Sequence, residues 1–309
     1  MYVFPITSNR TPVTHGQVAE KSRRQGGVLC SIYPTLQKIL STLIGVLGYA
    51  YMARVIIPAE IGVAAGITLL ASLIQIIVNL GLNSSIAKFI SENIGKGADY
   101  SKYVISALTL RIPLTLAITS QIAIFSTYLS ITLFNTPKYS NILSLAAIDI
   151  ALLSINPLLN NTLLGSGKLE GMALYGVSSV MIRWASITAF LYKGFGLVGV
   201  VYSWITGDSA LLIMLTLSIF KRINLQKNLL SQSIALLPNM LKFSWPIYIG
   251  SITTFLYAWY DKALILAFLP LEQLGIYNVA YMAFSVLASI AASLGSSLLP
   301  YYGIMYGQK

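Results

Sequence analysis

The chain has 309 residues, 56% of them hydrophobic and only 9% charged, with a formal net charge of +11 and a mean hydropathy of +0.75. Soluble domains carry charge at about a quarter of their positions, whereas apolar stretches of about 20 residues recur along this whole chain, as a bilayer span requires. An ordinary soluble enzyme is excluded, and because the basic residues lie between apolar runs rather than in one patch, nucleic acid is not an expected partner.

In chain order, residues 1–35 form a polar tail, expected in the cytoplasm, that holds the lone His15 and the lone Cys30. One cysteine permits no internal disulfide, and one tail histidine builds no metal site, so no metal or resident cofactor is expected. The tail lacks the apolar run of a signal peptide, so no cleavage is expected. Apolar runs punctuated by Gly, Pro and polar clusters then predict eight transmembrane helices in an all-α fold. The first two cover about 36–57 and 61–81, joined by the tight turn Pro58-Ala-Glu60. Residues 83–102 are polar, with Ile86, Phe89, Ile90 and Ile94 on one face, which predicts a short helix lying in the membrane interface. Four further spans follow at about 103–127, 142–163, 171–192 and 197–220. Residues 36–220 thus make a complete six-helix N-terminal bundle. Residues 221–242 form a basic connection between lobes, and 243–309 supply two spans, about 243–268 and 272–299, that begin a second bundle. Pro113, Pro157 and Pro246 are candidates for kinks.

Direction follows from the lysines and arginines. With the N-terminus inside, fourteen lie in cytoplasmic segments, Lys38, Lys88 and Lys168 among them, and only Lys138 and Lys193 lie in outer turns. That positive-inside bias predicts a multi-pass protein of the cytoplasmic membrane with both termini in the cytoplasm.

One cassette occurs twice. Pro58-Ala-Glu60-Ile-Gly62, an apolar run and Gly81-Leu-Asn-Ser84-Ser85 are matched by Pro270-Leu-Glu272-Gln-Leu-Gly275, an apolar run and Gly295-Ser296-Ser297. The offsets are 212, 213 and 214 residues. Such regularity predicts an internal duplication, hence two pseudo-symmetric bundles. The second copy is only begun before residue 309, so a truncated gene product, or a C-terminal helical half encoded separately, is the expectation.

Charges inside apolar runs are candidates for function, because each costs at least about 2.5–3.5 kcal/mol at the bilayer centre. Arg54 lies four residues from the outer turn, about 6 Å at helical rise, and can snorkel outward. Lys262, near the outer end of its span, is expected to do the same as an interfacial anchor. Arg111 and Arg183 lie roughly 12 and 18 Å deep, where snorkelling fails, and need a wet cavity, an anion or a buried carboxylate. Asp208 lies at the depth of Arg183, so a structural Arg183–Asp208 pair competes with a ligand role. Asp149 can face Arg111 or a coupling cation. Asp261 precedes Lys262 and must point to a different face; of the two, Asp261 is expected to face the cavity. Tyr260 and its aromatic neighbours either stack on sugar rings or form an interfacial belt. No catalytic grammar is present. The turn Gly165-Ser-Gly167-Lys168 lacks the spacing and the strand of a phosphate loop, so an enzyme is not expected.

Several segments resemble a known family. Ala53-Arg54-Val-Ile-Ile-Pro58-Ala-Glu60-Ile-Gly62, continuing to Asn79-Leu80-Gly81-Leu82, is similar to the first two helices of polysaccharide and O-antigen flippases. Leu164-Gly165-Ser-Gly167-Lys168 and Gly196-Leu-Val-Gly199-Val are similar to later turns of the same proteins. Phe243-Ser-Trp-Pro246, Asp261-Lys-Ala-Leu-Ile-Leu, Leu274-Gly275-Ile276-Tyr277, Ala280-Tyr281 and Leu299-Pro300 resemble the seventh and eighth helices of the lipid-linked oligosaccharide flippases. These belong to the multidrug, oligosaccharidyl-lipid and polysaccharide exporter superfamily. The resemblance implies two six-helix bundles around a cavity opened alternately to each side of the membrane. It implies a polyprenyl-pyrophosphate-linked sugar as substrate, moved for polysaccharide or glycoconjugate export, with the bilayer as the other partner. Arg111 and Arg183 would then hold the phosphates, because arginine binds phosphate bidentately. Coupling to Na⁺ or H⁺ through Asp149, Asp208 or Asp261 stays open. A drug or cation antiporter of the same superfamily, and a truncated non-transporting membrane protein, are the alternatives.

Overall fold

The computed structural model describes residues 15–221 and 229–285, with side chains placed for 33–221 and 233–285. Among them there is no strand. The helices are α1 (His15–Val55), α2 (Pro58–Asn79), α3 (Leu82–Gly95), α4 (Ser101–Ile124), α5 (Ser126–Phe134), α6 (Ser140–Gly165), α7 (Leu169–Tyr192), α8 (Gly196–Phe220) and α9 (Leu229–Phe268). Residues 271–285 form a further helix, α10, whose continuation lies outside the described residues together with Gly295-Ser296-Ser297 and Leu299-Pro300.

Six segments are long and apolar enough to cross a membrane: Tyr33–Val55, Pro58–Asn79, Ser101–Ile124, Pro137–Gly165, Leu169–Tyr192 and Gly196–Phe220. They coincide with the first six predicted spans. The seventh expected span is α9, a 40-residue helix whose Tyr, Trp, Thr and Pro content dilutes its apolar character below that of the other six. Only the first half of the eighth is described, so eight spans are not established. Two boundaries differ from expectation. The chain after α4 breaks at Phe125 and resumes as α5, up to Asn135 in the left-handed region. Residues 229–242, read as connection, are the first turns of α9.

The predicted interfacial helix is also corrected. α3 has the expected apolar face, but Ile86 and Ile90 are fully buried against Leu158, Leu159 and Leu163 of α6 and Met240 of α9. An amphipathic stripe looks the same whether it covers lipid or protein; here it covers protein, and the hydroxyl of Ser85 donates to the Met240 carbonyl at 3.2 Å.

The two cassette copies meet. α2 and α10 cross at Gly62 and Gly275, where a Cβ on Gly62 would strike the Leu271 carbonyl and a Cβ on Gly275 would strike the Pro58 carbonyl. The contact is reciprocal, as expected of elements related by a pseudo-two-fold axis, and only glycine lets the two backbones approach so closely. Asn278 of α10 also donates to the Tyr49 hydroxyl of α1 at 2.6 Å. One apolar core gathers at this end around Ile61, Val63, Ile67, Leu197 and Leu274. A second, around Leu82, Ile86, Leu158 and Leu215, fills the α3 end. Between these cores the helices part around polar space.

Candidate functional site

Two cavities flank α9 and share Ala258 and Trp259 as a common wall. The larger, about 950 Å³, lies among α1, α2, α7, α8, α9 and α10. Its charged lining is Lys38, Arg183 and Lys262, and its aromatic lining includes Tyr49, Trp184, Trp204, Trp259 and Tyr281. The smaller, about 650 Å³, lies among α2, α3, α4, α6 and α9, with Arg111 as its charged residue and Asn79, Asn83, Gln75, Ser251 and Thr254 around it. Among the described residues, no Asp or Glu lines either cavity.

Arg183 rises from α7 and meets Asp208 of α8 in a short charge-assisted hydrogen bond from Nη2, with Asp149 of α6 3.9 Å from the same nitrogen. Gly207 makes this crossing possible: a Cβ there would lie 2.6 Å from the Arg183 Cβ and 3.1 Å from the Ser179 carbonyl. Asp149 is 2% exposed and Asp208 7%, while the Arg183 side chain stays 27% exposed toward the cavity. Asn156 fixes the turn bearing Asp208 by donating to its backbone carbonyl at 3.0 Å. The expected Arg183–Asp208 pair is therefore present, and Asp149 belongs to it rather than to Arg111. Two carboxylates share one guanidinium, so the fully ionised cluster carries one net negative charge.

Arg111 contrasts with it. It is 1% exposed, and its Nη2 donates to the side-chain oxygens of Asn79 at 3.2 Å and Asn83 at 2.5 Å. Its Nε and Nη1 have no partner, and no carboxylate among the described residues pairs with it. Burying a donor unpaired costs about 1–3 kcal/mol, and more on a charged group. The asparagines are presented by the break between α2 and α3, where Leu80 and Gly81 take positive φ. A straight helix would leave them one turn apart on a single face; here both oxygens converge on one nitrogen.

Lys262 is corrected from the interfacial anchor expected of it. It is 3% exposed and faces the larger cavity, its ammonium 3.3 Å from the centre of the Tyr281 ring and 4.7 Å from that of Trp259, with the Ala258 carbonyl at 3.5 Å. π faces attract a cation without neutralising it. Asp261 is not among the cavity-lining residues; its carboxylate accepts from the Tyr277 hydroxyl and, at 2.8 Å, from the Lys262 backbone amide. Of this neighbouring pair the lysine, not the aspartate, turns inward. Arg54 and Tyr260 are exposed. Lys38, Asn79 and Asn83 were not singled out from sequence: Lys38 sits at a span edge where topology accounts for it, and neutral amides give no composition signal. A polar pair four residues apart across a glycine break is the pattern that marks Asn79 and Asn83.

Known proteins share this architecture. The chain is similar to a MOP superfamily transporter from Pyrococcus furiosus, described as having a binding pocket of reverse polarity that suggests a different function, with a TM-score of 0.52 and 15% identity over 85% of this chain and 67% of that one. It is also similar to the outward-facing form of a multidrug resistance MATE family transporter of the same superfamily, with a TM-score of 0.49 and 14% identity over the same shares. No curated protein matches the chain. Family and fold together point to transport rather than catalysis. A family model described as polysaccharide biosynthesis protein matches residues 31–305, nearly the whole sequence, and the chain belongs to that family of multi-pass membrane proteins.

Proposed function

We propose that the protein transports polyprenyl-pyrophosphate-linked oligosaccharides across the cytoplasmic membrane, from the inner to the outer leaflet, by alternating access. The observation that carries this reading is the sign of the larger cavity: Lys38, Arg183 and Lys262 line it and no carboxylate does. A cavity for cationic drugs needs the opposite. A pyrophosphate headgroup cannot cross hydrocarbon unescorted, and in a low-dielectric cavity each charge-assisted contact is stronger than in water. The tryptophans and tyrosines between the cations give sugar rings flat apolar faces. Lys262 is the phosphate contact favoured here, because its charge has no internal counter-ion. Arg183 is half committed to Asp208.

Asp149, Asp208 and Arg183 form the coupling element in this proposal. Three charges that sum to minus one accept a proton or Na⁺, and the accepted charge frees the guanidinium toward the cavity. With both termini in the cytoplasm, the reciprocal glycine contact of α2 and α10 closes the outer end, and the cavities are read as reached from the inner side.

The test compares two cargoes in proteoliposomes containing the protein. The expected result is accelerated transbilayer movement of a polyprenyl-pyrophosphate oligosaccharide and no transport of tetraphenylphosphonium. Transport of the cation alone would establish the antiporter instead.

A further inference from the structure

We infer that Arg111 and the first turn of α3 form a second binding site, for a phosphoryl oxyanion, in the smaller cavity. It deepens the transport reading with a site on the opposite side of α9 from Lys262, yet its test does not depend on transport. Two sources of positive potential converge there. The first is the Arg111 guanidinium, 1% exposed, with Nε and Nη1 unpartnered. The second is the N-terminus of α3, a 14-residue helix whose axis begins at Leu82 and whose first amides carry the positive end of its dipole. Asn79 links them, since its side-chain oxygen accepts from both Arg111 Nη2 and the Asn83 backbone amide.

Two positive elements held together repel unless an anion lies between or beside them, and the protein supplies none. The nearest buried carboxylate on a helix lining this cavity is Asp149 of α6, and it is turned to Arg183. What the cavity does supply is neutral: Gln75, Ser251 and Thr254 can donate or accept, and Trp259 closes one wall. A guanidinium, a helix N-terminus and surrounding hydroxyls and amides form a set suited to phosphate oxygens. Asn79 and Asn83 hold the guanidinium by one nitrogen and leave its other donors for the ligand. The same chemistry fits a phosphate on a soluble or transported group and the headgroup of a bilayer phospholipid.

The experiment measures binding to the detergent-purified protein by thermal unfolding, in a Lys262→Gln background that removes the other uncompensated cation. Sodium pyrophosphate and phosphatidylglycerol in mixed micelles are titrated separately. Stabilisation by pyrophosphate identifies a soluble phosphoryl group as ligand, and stabilisation by phosphatidylglycerol alone identifies the lipid headgroup; either supports the site. Arg111→Gln is expected to weaken the effective probe at least tenfold and Arg111→Lys to retain part of the affinity. Asn83→Asp places a carboxylate against Nη2; it is expected to keep the fold and weaken binding at least tenfold, so it decides the matter should Arg111→Gln not fold. No stabilisation by either probe, or equal affinity in Asn83→Asp and its parent, overturns the site. The readout is binding, so failure of flipping leaves it standing, and failure of binding leaves the larger cavity untouched.

Discussion

Arg183 and Arg111 are both deep arginines on helices of the same bundle, and they differ in what surrounds the charge. Arg183 has two carboxylates, Asp208 and Asp149, contributed by two other helices. Arg111 has two amide oxygens and an open cavity. A charge neutralised from within holds helices together; a charge left uncompensated in a cavity is held for something else. Depth in the membrane, which made both arginines candidates, does not separate these cases. The partner set does.

The largest effect should come from removing the counter-ion where there is one. Asp208→Ala is expected to destabilise the protein by about 3 kcal/mol, the low end of the cost of breaking a buried pair, because Asp149 remains beside Arg183. Reversible unfolding in mixed micelles checks this, and a loss below the error of the measurement would mean the pair is not structural. Gly207→Ala drives α8 away from α7 beneath the same pair and should cost about 2 kcal/mol by overpacking. In the Asp208→Ala background that cost should shrink, since contacting sites are not additive; full additivity would place the glycine outside the Arg183 cluster.

At Arg111 the sign reverses. Arg111→Met removes an unpartnered buried charge and should raise stability by about 1 kcal/mol in the absence of phosphoryl anions. A loss of the size seen for Asp208→Ala would erase the distinction between the two arginines. Smallest of all, Arg54→Gln should change stability by no more than about 0.5 kcal/mol, because an exposed side chain at a helix end has no buried partner to lose.

How much of this was legible in the sequence follows the same division. The first six spans can be read from apolar runs because bilayer thickness alone sets their length. α9 is harder, since Tyr257, Trp259, Tyr260, Asp261 and Lys262 interrupt its apolar run at the stretch that lines or borders the cavities. The buried role of α3 was hidden because period and amphipathicity do not say whether lipid or protein covers a face. The Arg183–Asp208 pair was foreseen from matching depth, but the allegiance of Asp149 was not, because depth fixes a layer and not the rotation of a helix about its axis. Rotation also decided between Asp261 and Lys262. The repeat carried the most tertiary information: Gly62 and Gly275, matched in sequence, are matched in space as a reciprocal contact.

The central claim is that uncompensated cations make these cavities receptors for anionic headgroups. The most direct measurement is the rate at which proteoliposomes move a polyprenyl-pyrophosphate oligosaccharide between leaflets, with Lys262 as the wild-type residue, as Lys262→Arg and as Lys262→Glu. The account predicts that the arginine variant keeps most of the rate and that the glutamate variant, with the cavity's sign changed at its centre, loses at least tenfold. Equal rates in all three would contradict it.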